Sequence, residues 1–216
     1  MPLARLQSAL DTLLSDARLV ATALPGTELN LWLLDPAHMT RPFDREETQR
    51  ILNAPPYWCF CWASGLAMAR WIAEHPEWVQ GKRVLDVGAG SGVAAIAAAR
   101  AGAAQVLVCD LDPLALLACQ ANAALNGVTL GYCADVLDAP PSFDLLLVAD
   151  VLYDQENLPL LDTFLTKAPL ALVADSRVRD FAHPRYERLA RMEAHTLPDL
   201  AEPEAFRHVS LYLGRP

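Results

Sequence analysis

One segment constrains the fold of this chain more than any other: residues 83–102, RVLDVGAGSGVAAIAAARAG. A short apolar run typical of a strand leads into a glycine-rich turn, and an alanine-rich helix is predicted to follow and to end at Gly102. This order presents backbone N–H groups and a helix N-terminus at one point, which is how α/β proteins bind nucleotide-like ligands. The segment therefore predicts a βα unit with a ligand at its turn.

The same alternation continues along the chain. Asp112 and Pro113 predict the N-cap and first residue of a second helix, which Gly127 ends. Buried strands separated by helices indicate an α/β fold with a parallel, doubly wound sheet. Further strands are predicted at 105–110, 129–134, 143–150 and 169–175.

The two ends of the chain differ from this core. In the tail, a helix is predicted near 183–191, followed by a closing hairpin-like pair at 192–199 and 206–215. Ahead of the core, an amphipathic helix is predicted in the first 20 residues, a strand at 28–34 and a helix at 64–75. We expect residues 1–80 to form a helical, aromatic extension of the same domain, and residues 81–216 to form the ligand-binding core.

Composition narrows the class of partner. The net charge of −9 and the sequence pI near 4.9 disfavour a nucleic acid and suit a cationic or neutral substrate. No apolar run of the length of a transmembrane helix lacks a charge, so no membrane span is expected. The five cysteines lack zinc spacing, and no metal-ligand cluster stands out. Buried, reduced thiols predict a cytoplasmic location or another reducing compartment. The sequence leaves the oligomeric state open.

Two ligand classes fit the glycine turn. A dinucleotide site needs a small residue at the third place of G-x-G-x-x-G/A, where this chain has Val93. The glycines instead follow G-x-G-x-G, and Asp86 precedes them, a poor neighbour for a pyrophosphate but a good one for a cationic amino-acid group. Asp110 closes the second strand, where a carboxylate can accept both ribose hydroxyls in either ligand class. Asp86 together with the glycine spacing favours an S-adenosyl ligand.

These residues carry a resemblance to a known family. VLDVGAGSG followed by VLVCDLDP resembles the first two motifs of the class I S-adenosylmethionine-dependent methyltransferases. The resemblance implies a Rossmann-like, mostly parallel seven-stranded sheet with an antiparallel closing strand, and S-adenosyl-L-methionine as the cofactor. It places Asp135 near the adenine amino group and the backbone N–H of Val136 on the ring. The cofactor-binding residues that it implies are Trp62, Asp86, Gly88, Ala89, Gly90, Asp110, Leu111, Asp135 and Val136.

A narrower resemblance covers most of the chain. The motifs Tyr57-Trp58, Trp62-Ala63-Ser64-Gly65 and Asp150-Val151-Leu152-Tyr153 resemble those of the electron-transfer-flavoprotein β-subunit lysine methyltransferases and their bacterial relatives. Relatives that act on ribosomal proteins share much of the pattern. The resemblance implies N-methylation of lysine side chains on a protein substrate. The chain departs from the family at residues 175–177, where Asp-Ser-Arg replaces an Asp-Pro-Gly-Arg-like turn. This departure concerns the identity of the substrate and not that of the cofactor.

Four residues are predicted to bind and orient the methyl acceptor. We expect Asp150 and Tyr153 to orient the amine as catalytic residues, and Tyr57 and Trp58 to line a substrate slot. The tryptophans also fit a plain core role, and Asp135 fits a surface role. A methyltransferase for a small amine and a non-catalytic cofactor-binding module remain alternatives to the lysine methyltransferase.

Overall fold

The computed structural model of the chain describes residues 1–140, 142–152, 155–178 and 181–216. The helices are α1 (Pro2–Leu13), α2 (Arg45–Asn53), α3 (Ala63–Glu74), α4 (Val93–Arg100), α5 (Pro113–Leu125) and α6 (Leu160–Lys167). The strands are β1 (Leu19–Ala23), β2 (Asn30–Leu34), β3 (Arg83–Val87), β4 (Gln105–Cys109), β5 (Gly131–Cys133), β6 (Leu145–Ala149), β7 (Ala171–Asp175), β8 (Tyr186–Glu193) and β9 (His208–Gly214).

Seven of these strands form one sheet in the order β5-β4-β3-β6-β7-β9-β8. β3, β4, β5, β6 and β7 run parallel, and β9 is antiparallel to both of its neighbours. The predicted fold class, a doubly wound and mostly parallel sheet with an antiparallel closing strand, is confirmed. The chain leaves β3 toward β4 and later returns to its other side with β6, so the switch point of the topology lies at the end of β3. Open α/β sheets bind ligands at such a point.

The helix predicted near 183–191 is wrong, because this segment contains strand β8, paired with β9 along its length. Its abundant charged residues resemble those of an exposed helix. They lie instead on an edge strand of the sheet, where charges discourage pairing with other chains. Tyr186 anchors the strand: its buried hydroxyl donates a 2.7 Å hydrogen bond to the carbonyl of Leu161. The predicted closing pair is correct in β9, but its partner strand begins earlier than expected.

The extension packs on the helices of the core. The predicted helices appear as α1 and α3, and the predicted strand as β2, which pairs with β1 in a separate two-stranded sheet. Asn122 of α5 is fully buried and joins the two parts: its Oδ1 accepts from the N–H of Trp32 at 2.7 Å, and its Nδ2 donates to the carbonyl of Ser91 at 2.9 Å. Asn122 thus links β2 to the glycine turn.

Among the described residues, no helix has the length and apolarity needed to cross a bilayer. The same part of the chain contains no group of three or more His, Cys, Asp or Glu side chains arranged to hold a metal ion.

Candidate active site

The glycine turn between β3 and α4 has backbone conformations that residues with a side chain rarely adopt. Gly88, Gly90 and Gly92 have φ angles of 67°, 53° and 80°. A Cβ at Gly88 would lie 2.5 Å from a methyl of Val151, and one at Gly92 would lie 2.9 Å from the sulfur of Cys119. A Cβ at Gly90 would meet nothing within 4 Å. The outer glycines therefore allow close packing, whereas Gly90 faces open space and leaves room for a ligand.

Asp86 supports this turn from inside the sheet. Its side chain is 2% exposed, and Oδ2 accepts a 3.0 Å hydrogen bond from the N–H of Ala95 in the first turn of α4. Gly92, the N-cap of that helix, has no side chain to make such a bond. Burial raises the pKa of Asp86 to about 7, which the bond from Ala95 opposes and the charge of Asp110 reinforces. Asp86 therefore fixes the start of α4.

Asp110 ties the end of β4 to the same turn. Its Oδ2 accepts from the N–H of Gly90 at 2.9 Å, and its Oδ1 accepts from the N–H of Asp112 at 2.9 Å. Burial raises the pKa of this half-buried carboxyl, and the bond from Gly90 opposes the shift. A carboxylate has about four acceptor positions. Two therefore remain for hydroxyl donors on a ligand.

Apolar surface lies beside Asp110. The side chain of Leu111 is 80% exposed, and Val136 is half-buried beyond the end of β5. Asp135 accepts at Oδ1 from the N–H of Leu137 at 2.8 Å, so its carboxylate shapes the loop that contains Val136. An open glycine, a ribose-type acceptor and an exposed leucine fit a nucleoside ligand. The predicted cofactor residues from Asp86 to Val136 thus lie at the carboxyl ends of β3, β4 and β5.

The aromatic residues of the extension divide into two groups. Trp62 is half-buried at the N-cap of α3, and its Nε1 donates to the carbonyl of Tyr57 at 3.0 Å. The ring of Tyr57 packs edge-on against Trp62 at 5.6 Å and is 47% exposed. Trp58 is 1% exposed and belongs to a core cluster with Leu6 and Leu10 of α1. The structure thus places Tyr57 at the surface, but it places Trp58 in the core and not in the expected slot.

Asp150 stands at the end of β6 with a φ of 53°. Its Oδ2 accepts from the N–H of Ser64 at 2.9 Å, and its Oδ1 accepts from the Ser64 hydroxyl at 2.6 Å. Asp150 thereby caps the N-terminus of α3, where Trp62 offers no side-chain bond. Burial raises the pKa of Asp150 to about 6, and the two bonds from Ser64 oppose the shift. Tyr153, the other expected catalytic residue, lies outside the described residues.

Sequence reasoning missed several residues near Asp150. Arg177 donates to Glu202, and its guanidinium lies 4.5 Å from the centre of the Phe206 ring and 5.7 Å from that of Trp62. Glu202 also accepts from the hydroxyl of Thr196 at 2.6 Å. Asp-Ser-Arg at 175–177 was the one local signal. The contacts with 196–206 depend on tertiary structure.

Comparisons with known proteins agree with this geometry. The profile of the ribosomal protein L11 methyltransferase (PrmA) family matches residues 71–154. The electron transfer flavoprotein beta subunit lysine methyltransferase of Mus musculus is 34% identical over 158 residues, which are 69% of this chain and 62% of the relative. The Xenopus laevis protein of the same name is 33% identical over 86% of this chain and 78% of the relative.

The solved structures show the fold. A ribosomal protein L11 methylase from Lactobacillus delbrueckii subsp. bulgaricus superposes with a TM-score of 0.55 at 23% identity, covering 70% of this chain and 78% of that one. The sheet, its switch point and the glycine turn define a class I S-adenosylmethionine-dependent methyltransferase. The chain belongs to the family of the electron transfer flavoprotein beta subunit lysine methyltransferases. It spans less than two thirds of the length of the mouse relative.

Proposed function

We propose that this chain transfers methyl groups from S-adenosyl-L-methionine to lysine side chains of a protein. An electron transfer flavoprotein is the first candidate substrate and a ribosomal protein the second, in line with the names of the relatives. The observation that carries the proposal is the pairing of Gly90 with Asp110 at the switch point of the sheet. It joins an open turn to a carboxylate that still has acceptor capacity.

The cofactor, when bound, supplies a methyl group on a positively charged sulfonium. The chain supplies binding and orientation. In this proposal Asp110 accepts from the ribose hydroxyls and Leu111 contacts the adenine. The turn at Gly88, Ala89 and Gly90 lets the amino-acid part of the cofactor approach the backbone closely, and Asp86 holds that turn in place.

The acceptor enters at the other side of the switch point. A lysine ammonium must lose its proton before its nitrogen can attack a methyl group, and its reference pKa is about 10.4. With a pKa of about 6, Asp150 is mostly ionised at neutral pH. Its negative charge stabilises the ammonium and so opposes deprotonation of the lysine. We therefore assign Asp150 to binding and orienting the amine. Tyr57 and Trp62 offer aromatic surface for the apolar stem of lysine. We keep Tyr153 as an orienting residue and regard buried Trp58 as the anchor of the Tyr57 segment.

The location and domain division are also proposals. The cysteines at 59, 61, 109, 119 and 133 are all free thiols, which supports a reducing compartment such as the cytoplasm. The bonds of Asn122 to Trp32 and Ser91 support treating residues 1–80 as an extension of the 81–216 core.

The experiment is a methyl-transfer assay with three acceptors. The purified chain is incubated with S-adenosylmethionine and, separately, with an electron transfer flavoprotein, ribosomal protein L11 or a set of small primary amines. We expect intact mass spectra of a protein acceptor to gain whole methyl groups, and peptide mapping to place them on lysine. Turnover of small amines with no protein modified would replace the proposal with the small-amine alternative. Cofactor binding without any transfer would support a non-catalytic module.

A further inference from the structure

The edge formed by the carboxyl ends of β6 and β7, here called the β6–β7 edge, contains a second carboxylate. Asp175 is the last residue of β7. The residue before it, Ala174, accepts at its carbonyl a 3.1 Å hydrogen bond from the N–H of Asp150. The charge of Asp175 acts on Asp150, whose pKa it helps to raise. The two carboxylates are therefore neighbours on adjacent parallel strands.

The two side chains differ in how their oxygens are used. Both oxygens of Asp150 accept from Ser64. Asp175 is 3% exposed, and its Oδ1 accepts from the N–H groups of Arg177 and Val178 at 2.8 and 2.7 Å. Its Oδ2 is buried, and no described residue donates to it. A buried carboxylate oxygen without a donor is costly, and in native proteins such a group calls for a functional explanation.

The charges at this edge do not balance. Asp150, Asp175 and Glu202 share the guanidinium of Arg177, which is hydrogen bonded to Glu202 and lies against Phe206. The described residues here therefore hold excess negative charge in a partly buried place, where Coulomb attraction is stronger than in water. A cationic group of a substrate at this edge would supply the missing positive charge.

We propose that Asp175 is a positioning residue of the acceptor site, whose uncompensated carboxylate draws the ammonium of the incoming lysine to the β6–β7 edge beside Asp150. This inference rests on the proposed function, and it gives the two carboxylates separate roles. Asp150 holds the N-terminus of α3 and orients the amine. Asp175 contributes charge, and it does so at the expense of stability.

The test compares Asp175→Asn with Asp144→Asn. Asp144 precedes β6 at the amino end of that strand and accepts from the N–H of Arg83 at 2.7 Å. Both variants therefore remove one charge and keep a side-chain acceptor. Initial rates are measured against electron transfer flavoprotein concentration at low and high salt. S-adenosylhomocysteine affinity is measured by calorimetry, and the midpoint of thermal unfolding by circular dichroism.

For Asp175→Asn we expect KM to rise on the order of tenfold at low salt, with kcat changed by about twofold at most. The KM difference from wild type should shrink at high salt, because salt screens the attraction. Cofactor affinity should stay within about twofold, and the unfolding midpoint should not fall, because an unpartnered buried charge has been removed. Asp144→Asn should leave KM unchanged.

An unchanged KM in Asp175→Asn, or a lower unfolding midpoint, would overturn the inference and leave Asp175 a structural residue. Loss of cofactor affinity would place it at the cofactor instead and overturn the inference equally. If wild-type protein modifies neither the flavoprotein nor ribosomal protein L11 while retaining cofactor binding, the proposed function fails, and the lysine role of Asp175 fails with it.

Discussion

Asp110 holds two backbone N–H groups, from Gly90 and from Asp112, and still has acceptor positions to offer a ligand. Its neighbour Asp112 uses its own carboxylate to cap α5, accepting from the N–H of Leu114 at 2.8 Å. Two aspartates that are two positions apart thus have different roles, set by the backbone groups that they bind. Of the two, Asp110 is the one that binds the glycine turn.

Replacement of Asp110 with alanine should weaken cofactor binding by about 1–3 kcal/mol, through loss of charge-assisted hydrogen bonds to the ribose. Calorimetry with S-adenosylhomocysteine measures the change. Asp138→Ala, which removes an exposed carboxylate from the loop after β5, is the control and should bind as wild type does. An unchanged dissociation constant in folded Asp110→Ala would show that this carboxylate does not hold the ribose.

Asp150→Asn should cut turnover while sparing cofactor affinity, because its carboxylate lies at the β6–β7 edge and away from Asp110. It should also lower the unfolding midpoint, because an amide can replace only one of the two acceptors that Ser64 uses. Ser64→Ala separates these effects: it removes the 2.6 Å hydroxyl bond but leaves the charge of Asp150. We expect Ser64→Ala to share the stability loss and to keep most of the turnover. Proportionate loss of cofactor affinity and activity in Asp150→Asn would contradict this placement.

Asp86 makes stability depend on pH. Burial raises its pKa in the folded chain to about 7, whereas an unfolded aspartate titrates near 3.9. The folded state therefore binds the proton more tightly, and this contribution to stability is fully present below about pH 4 and is lost as pH rises through about 7.

Asp86→Asn should remove that dependence. Between pH 5 and pH 8, urea unfolding should show a smaller loss of unfolding free energy in the variant than in wild type. Asp150, with a raised pKa of about 6, contributes in the same direction, so some dependence remains. Equal losses in wild type and variant would mean that Asp86 does not titrate in this range.

At the scale of elements, α5 connects the extension to the site. Asn122 and Asn126 lie one turn apart on or just after this helix, and both bind backbone groups of β2. Asn122 is fully buried and also reaches the carbonyl of Ser91, whereas the bonds between Asn126 and Asn30 lie at the surface. The two asparagines make the same kind of contact with β2, one in the interior and one at the surface, so their variants can be compared directly.

Asn122→Ala should lower the unfolding free energy by about 1–3 kcal/mol, because it leaves the carbonyl of buried Ser91 and the N–H of half-buried Trp32 without partners. Asn126→Ala should cost less, because water can replace its bonds. Urea unfolding of both variants measures the difference. A larger loss for Asn126→Ala would show that the extension is held at its surface contacts instead.

The elements that sequence predicted well are those with local signals. β3 and α4 follow from an apolar run, a glycine turn and an alanine-rich stretch, and Asp112 does cap α5 as expected. α2 was missed although Asp44 and Glu47 form a capping box, with Arg41 bound to Glu47. The sequence of β8 favours a helix, because an edge strand depends for its conformation on the strand with which it pairs.

The same distinction divides the site. The glycine turn and its proximity to Asp110 could be predicted because both lie within one βαβ unit. The contact between Ser64 and Asp150 joins residues 86 positions apart, so no local pattern shows it. The burial of Trp58 and the unpartnered oxygen of Asp175 are likewise properties of the folded chain.

On the scale of the whole molecule, the ligand site connects parts of the chain that are distant in sequence. The turn at Gly88–Gly92 contacts Val151 and Cys119, and through Asn122 it reaches β2 of the extension. Asp150 connects the end of β6 to α3. A ligand that binds only this assembled site should therefore stabilise the extension and the core together, in one unfolding transition.

S-adenosylmethionine and S-adenosylhomocysteine should each raise the midpoint of that transition, and NAD should do so much less. A ligand at about 100 times its dissociation constant adds about 2.7 kcal/mol to the unfolding free energy. NAD lacks the fit, because Val93 occupies the third small-residue position of a dinucleotide turn and Asp86 lies beneath the glycines. Thermal unfolding followed by circular dichroism at equal ligand concentrations measures all three. A greater shift with NAD would refute the assignment of the turn, and a shift confined to one of two separate transitions would show that extension and core unfold independently.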